Sequence, residues 1–249
     1  MTELQALEAY CDELLDADRF DDYCPNGLQV EAGGGVQRLV TGVTASLALI
    51  RAAAEAGADT LLVHHGYFWK GEDPVVRGVK AARLRELFAR GISLLAYHLP
   101  LDAHAELGNN RQLAERLGLT GAKALDEGGL LWGCDLETPL DSTGLAERIA
   151  KALDRVPLHA GEGPAAIRRL AWCTGAAQGM IERAAALGFD AYVTGEVSEP
   201  TVHLAREHGI HFFSAGHHAT ERYGVRALGS HLAERFGFEH RFIDIPNPV

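Results

Sequence analysis

Apolar and polar positions alternate along this chain with two distinct periods. Short apolar runs bounded by turn residues predict buried strands over residues 28–30, 39–43, 60–63, 92–96, 130–136, 157–159 and 210–215. Helical spacing fills the intervals. Thr2 can cap a helix with Leu4, Leu7, Cys11, Leu14 and Leu15 on one face, and Ser46 one with Leu47, Ile50, Ala53 and Ala54 that ends at Gly57. Pro74 is expected to open a helix that turns Val76, Val79, Leu84, Leu87 and Phe88 inward and stops at Gly91. Leu113 and Leu117 mark a short helix before Gly118, and Asp141 or Ser142 caps one through Leu145, Ile149 and Leu153. Residues 21–29 read as irregular, with Pro25 and the turn pair Asn26-Gly27. The glycines at 33–35 read as a turn, since no phosphate-loop pattern follows them.

The pattern repeats itself. Residues 38–65 lie over 169–196, placing Gly57 on Gly188 and Asp59 on Asp190; further on, Gly91-Ile92 falls on Gly209-Ile210 and residues 113–118 on 232–237. Order is kept and only loop lengths drift, which predicts a duplicated βαβαβ-type unit. The expected fold class is α/β, with two similar halves over residues 1–125 and 126–249. Open α/β sheets bind ligands beyond the carboxyl ends of their strands. A site is therefore expected in the cleft between the halves.

Composition narrows the choice. The 249 residues are 47% hydrophobic and 23% charged, as in ordinary globular proteins. A net charge of −11 without a basic run makes a nucleic-acid partner improbable. No apolar run approaches the roughly 20 residues that span a bilayer. The start of the chain lacks a signal-peptide pattern, and a cytoplasmic location is expected. Cys11, Cys24, Cys134 and Cys173 show no C-x-x-C spacing and read as reduced thiols. Cys24 reads as a structural thiol, with a ligand or nucleophile as the alternative.

The candidate chemistry sits at the strand ends. His64-His65 follows one run; His98 and Asp102 follow another; Gly216-His217-His218-Ala219-Thr220-Glu221 follows a third. A lone histidine is usually a capping or solvated residue, but two His-His pairs with H-x-x-x-D and H-x-x-x-E spacings point to metal. His217 and Glu221, four apart, share a helix face, and a carboxylate can bridge two ions. Three neutral imidazoles and two carboxylates suit two divalent ions, with Zn, Fe, Mn, Co and Ni all admissible. His98 is a ligand, a proton shuttle or a structural histidine. Glu196 is either in the site or on the surface, and His218 either supports the site or faces the cleft. Tyr67, Phe68 and Trp69 either wall a pocket or pack their loop. Arg222 is the nearest cation by sequence, whether for a substrate or for a surface ion pair.

Six stretches together resemble a known family. They are Cys24-Pro25-Asn26-Gly27-Leu28-Gln29-Val30, Leu62-Val63-His64-His65-Gly66, Tyr97-His98-Leu99-Pro100-Leu101-Asp102, Gly108-Asn109-Asn110, Val193-Thr194-Gly195-Glu196, and residues 216–224. The chain resembles the dinuclear-metal-centre hexameric proteins, often labelled GTP cyclohydrolase I type 2-like, in their short form. The resemblance implies a toroidal homohexamer with a metal pair in each subunit. It implies metal ligands at His64, His65, Asp102, His217 and Glu221, with His98 near the metals without coordinating them; His98 is then the candidate catalytic acid/base. A metal-dependent hydrolase using metal-activated hydroxide on a small molecule, such as a nucleotide, is the expected function. The alternative is a non-enzymatic, metal-binding regulatory or metal-delivery ring.

Overall fold

The computed structural model describes residues 2–249. In chain order its elements are α1 (Glu3–Leu15), β1 (Gly27–Val30), β2 (Arg38–Thr44), α2 (Leu47–Glu55), β3 (Thr60–His65), α3 (Gly78–Arg90), β4 (Ser93–Ala96), α4 (Leu99–Ala103), α5 (Asn109–Arg116), β5 (Lys123–Ala124), β6 (Trp132–Leu140), α6 (Ser142–Leu153), β7 (Leu158–Ala160), β8 (Ile167–Trp172), α7 (Ile181–Ala186), β9 (Ala191–Thr194), α8 (Glu199–His208), β10 (His211–Ser214), α9 (His217–Phe236) and β11 (Glu239–Phe242). They form two compact units, one of Met1–Leu101 with Gly224–Ile245, the other of Asp102–Tyr223 with Pro246–Val249. The last strand and most of α9 thus belong with the N-terminal segment.

Each unit has one sheet. The first is ordered β1-β4-β3-β2-β11, the second β5-β6-β8-β9-β10-β7. Read from the opposite edge, the second repeats the first: β7 stands for β1, β10 for β4, β9 for β3 and β8 for β2. The two antiparallel edge pairs, β1 on β4 and β7 on β10, also correspond. The repeat extends to a side chain. Asp59 accepts from the backbone N–H groups of Gln37 (2.9 Å) and Arg38 (3.0 Å), and Asp190 from those of Arg168 (2.8 Å) and Arg169 (2.9 Å). Each aspartate ties the start of one strand to the turn before its neighbour. The fold is α/β with two similar halves.

Alternating burial builds the cores. In the first unit Val40, Leu61, Val63 and Leu94 pack against Leu49, Ile50 and Ala53 of α2 and Leu87 of α3. In the second, Phe213 and Trp172 meet α5 and α6 through Leu113, Leu145 and Ile149, while the adjacent Phe212 and Tyr192 meet α7 and α8 through Ile181, Ala184 and Ala205. Caps fall where the residue types require. Thr2 and Gln5 form a capping box, Ser46 accepts from Leu49 N–H, and Asp141, not Ser142, caps α6 by accepting from Gly144 N–H.

One expected helix is corrected. α3 begins at Gly78, not Pro74, and Val76 (52%), Val79 (66%) and Phe88 (58%) are exposed. Gly78 has a φ of 56°, so residues 74–77 cannot continue into the helix, and the inward face narrows to the turn around Leu87. Two boundaries also shift. β3 runs through His65, making the two histidines its last residues, and Asp102 rides on the short α4.

Candidate metal centre

In the first unit, β3 delivers His64 and His65 and the turn after β4 delivers His98. One ring nitrogen of each lies within 4.8 Å of the others. His64 is fully buried, and its Nδ1–H donates to the Tyr97 carbonyl at 2.9 Å. A carbonyl can only accept, so in the neutral ring Nε2 keeps its lone pair, the state a metal ligand needs. His65 pairs through Nδ1 with Thr44 Oγ1 at 3.1 Å.

His98 is held by Asp22, a residue the sequence reading left within an irregular segment. His98 Nδ1 is 2.7 Å from Asp22 Oδ1, which also accepts from Tyr23 N–H at 2.6 Å. Asp22 Oδ2 accepts from Leu99 N–H (2.9 Å) and Asn26 Nδ2–H (3.0 Å), and Asn26 Oδ1 takes the His98 N–H at 2.8 Å. Burial alone would raise the Asp22 pKa. The hydrogen bond and charge of His98, with the donors Asn26 and Leu99, outweigh it and bring the group down to about 2. An Asp just before a Pro-Asn-Gly turn is the only local signal for this residue. Spacing does not distinguish it from Asp21.

Trp69 sets its ring edge-on to His98, with centroids 5.1 Å apart, and Tyr23, 62% exposed, does so from 6.4 Å. Tyr67 instead packs its loop: it is buried and donates to the Ala45 carbonyl. Cys24 is a buried thiol near Asp22 and His98; burial, then the Asp22 charge, push its pKa up to about 12.

In the second unit, α4 carries Asp102 and the first turn of α9 carries His217 and Glu221. His217 Nε2 is 3.1 Å from Glu221 Oε2, and carboxylate oxygens of Asp102 and Glu221 lie within 4.8 Å of each other. Both carboxylates are buried, Asp102 to 6% exposure and Glu221 to 2%. Glu196 belongs to this group: its Oε1 takes His217 Nδ1–H at 2.7 Å. Burial works against charging His217, but Glu221 and then Glu196 outweigh it and bring its pKa up to about 9. Asp102 Oδ1 accepts from Asn109 Nδ2–H (2.8 Å) and Thr174 Oγ1–H (3.2 Å), while Asn110 binds the Asp102 carbonyl and the Thr174 N–H.

Gly175 completes the floor. Its φ is 69°, and a Cβ there would lie 2.1 Å from Glu221 Oε1 and 3.3 Å from His217 Nε2. Thr174 and Gly175 were not foreseen. Their only trace in sequence is a small polar pair at the end of a buried strand. Arg222 donates to the Leu153 carbonyl and the Tyr223 hydroxyl, and His218 N–H binds the Val249 carbonyl.

The donors fit a borderline divalent ion. They are imidazole nitrogens and carboxylate oxygens without a free thiolate, and Nδ1 of His64 and of His217 is each engaged by an acceptor, which leaves Nε2 as the ring atom that could serve a metal. Several of the other histidines are engaged away from this group: His159 Nε2 bonds His211 Nδ1 at 3.1 Å, His231 pairs with the Tyr10 hydroxyl and His240 with Thr41 Oγ1.

Comparisons with known proteins agree with this architecture. A protein of Allochromatium vinosum named GTP cyclohydrolase 1 type 2 homolog is 55% identical, over 100% of this chain and 98% of its own. One of Pseudomonas aeruginosa with the same name is 57% identical, over 99% and 98%. A solved structure of a protein called ybgI, of unknown function, superposes with a TM-score of 0.96 at 52% identity and full coverage of both chains. The sequence model for Duf34/NIF3 (NGG1p interacting factor 3) matches residues 2–248. With nearly every residue matched by that model, the chain belongs to the Duf34/NIF3 family.

Proposed function

We propose that His64, His65, Asp102, His217 and Glu221 together hold two divalent metal ions, and that the protein is a metal-dependent hydrolase. The observation that carries the reading is the donor set: imidazole nitrogens gathered within 4.8 Å in one unit, and a buried Asp102–Glu221–His217 group in the other. When bound, the ions would lower the pKa of water and polarise an electrophilic centre. The chain's own residues do the rest. Tyr97 O and Glu196 orient His64 and His217, Asn109 and Thr174 fix Asp102, and His98, beside His64 and His65, exchanges protons with substrate. The relatives' shared name makes GTP the first substrate to test. The assembly proposed from the family resemblance is a homohexamer.

Metal content per chain tests the centre, on protein purified without chelators. Two ions are expected in the wild type, with a loss in both His65→Ala and Glu221→Ala. Little metal, unaffected by either change, would refute the dinuclear reading. Formate release from GTP by the loaded wild type, abolished in a folded His65→Ala, would support cyclohydrolase activity. A second reading, a metal-binding ring that serves a partner, is favoured by the family description, which names an interacting factor. It predicts exchangeable metal without turnover of nucleotides.

A further inference from the structure

We infer that Asp22 is a positioning residue that fixes the tautomer of His98, so that Nδ1 carries the proton of the neutral ring and Nε2 is the atom that exchanges protons with substrate. This rests on the hydrolase reading above for its purpose but not for its geometry. Asp22 receives a donor at every position around its carboxylate: Tyr23 N–H and His98 at Oδ1, Leu99 N–H and Asn26 at Oδ2. The side chain is only 2% exposed. A carboxylate fixed by three other donors stays ionised, and an ionised carboxylate can only accept. His98 therefore donates from Nδ1. A ring turned over about its Cβ–Cγ bond would set the carbon Cδ2 against Asp22 Oδ1 and forfeit the 2.7 Å hydrogen bond, so the observed orientation is the one the carboxylate holds.

Asp22 acts here as the buried aspartate does in a Ser-His-Asp triad. There, replacement by Asn keeps the geometry but costs about 10⁴ in kcat because the tautomer is wrong. The same swap has a defined outcome in this network. The new amide group can point its NH₂ at the Oδ1 position or at the Oδ2 position. At Oδ2 it would face two donors, Leu99 N–H and Asn26 Nδ2–H; at Oδ1 it would face one, Tyr23 N–H, and His98 can adapt by becoming an acceptor at Nδ1. The second arrangement leaves fewer opposed donors. Asp22→Asn therefore inverts the tautomer and moves the His98 proton to Nε2.

The test is the ¹⁵N spectrum of histidine-labelled full-length protein loaded with zinc, a diamagnetic ion, in wild type and Asp22→Asn, with His98 assigned by its loss in His98→Gln. The neutral ring is expected to show a protonated Nδ1 and a bare Nε2 in the wild type, and the reverse in Asp22→Asn at unchanged zinc content. A wild-type proton on Nε2, a zinc-bound Nε2, or an unchanged tautomer in Asp22→Asn would overturn the inference. The wild-type reading stands whether or not the variant folds. Failure of the metal reading would appear separately, as absent zinc, and leaves the tautomer measurable.

Discussion

Gly175 and Asn109 show how much of the candidate centre depends on residues that hold no ligand atom. A methyl group at Gly175 would clash with Glu221 Oε1 at 2.1 Å, and the alanine that carries it would have to hold a φ of 69°. Gly175→Ala is expected to destabilise the fold by about 1–3 kcal/mol and to lower metal content, read by thermal melting and metal analysis. A variant that melts and binds metal like wild type would contradict this. Asn109 is milder. Its amide restrains one Asp102 oxygen, so Asn109→Ala should weaken metal binding by about 10- to 100-fold while leaving the fold intact. Titration with a competing chelator measures that change. Glu196 was left open by spacing, since it lies 21 residues from His217, and the structure joins them at 2.7 Å.

At the scale of elements, edge strand β7 and its neighbour β10 are joined by the His159–His211 pair, with His159 stacked on Phe213 at 4.6 Å. Burial, then the proximity of His211, lower the His159 pKa below its usual 6.5. The folded state thus favours the neutral ring. This contribution is complete above the unfolded value and is lost as pH falls through the folded one. His159→Phe, which can keep the stacking, should reduce the fall in melting temperature between about pH 7.5 and 5.5. An equal fall in both proteins would refute it. Strand and helix positions were readable because periodicity is local: the runs at 39–43, 60–63 and 92–96 became β2, β3 and β4. α3 was misjudged because Val76, Val79 and Phe88 fit a helical spacing that the backbone turn at Gly78 interrupts.

For the whole molecule, bound metal should act as a ligand of the native state alone. A chelator is then expected to lower the melting temperature and added divalent metal to restore it, since an ion at 100 times its Kd stabilises the native state by about 2.7 kcal/mol. A melting curve indifferent to both would count against the proposed centre. Among the described residues no helix is long and apolar enough to cross a membrane.

The sequence by itself determined the α/β class, the duplicated unit and the positions of His64, His65, His98, Asp102, His217 and Glu221 near strand ends. Those features follow from local period and from similarity between segments, which survive without knowledge of packing. Tertiary structure decided which residues support them. Asp22 meets His98 across 76 positions and Thr174 meets Asp102 across 72, and both meetings depend on where separate segments are brought together. It also decided that the C-terminal strand β11 pairs with β2 in parallel, from Glu239 beside Arg38 to Phe242 beside Thr41. Hydrogen-bond partners that far apart leave no spacing signature, because the geometry that joins them belongs to the folded sheet and not to the chain.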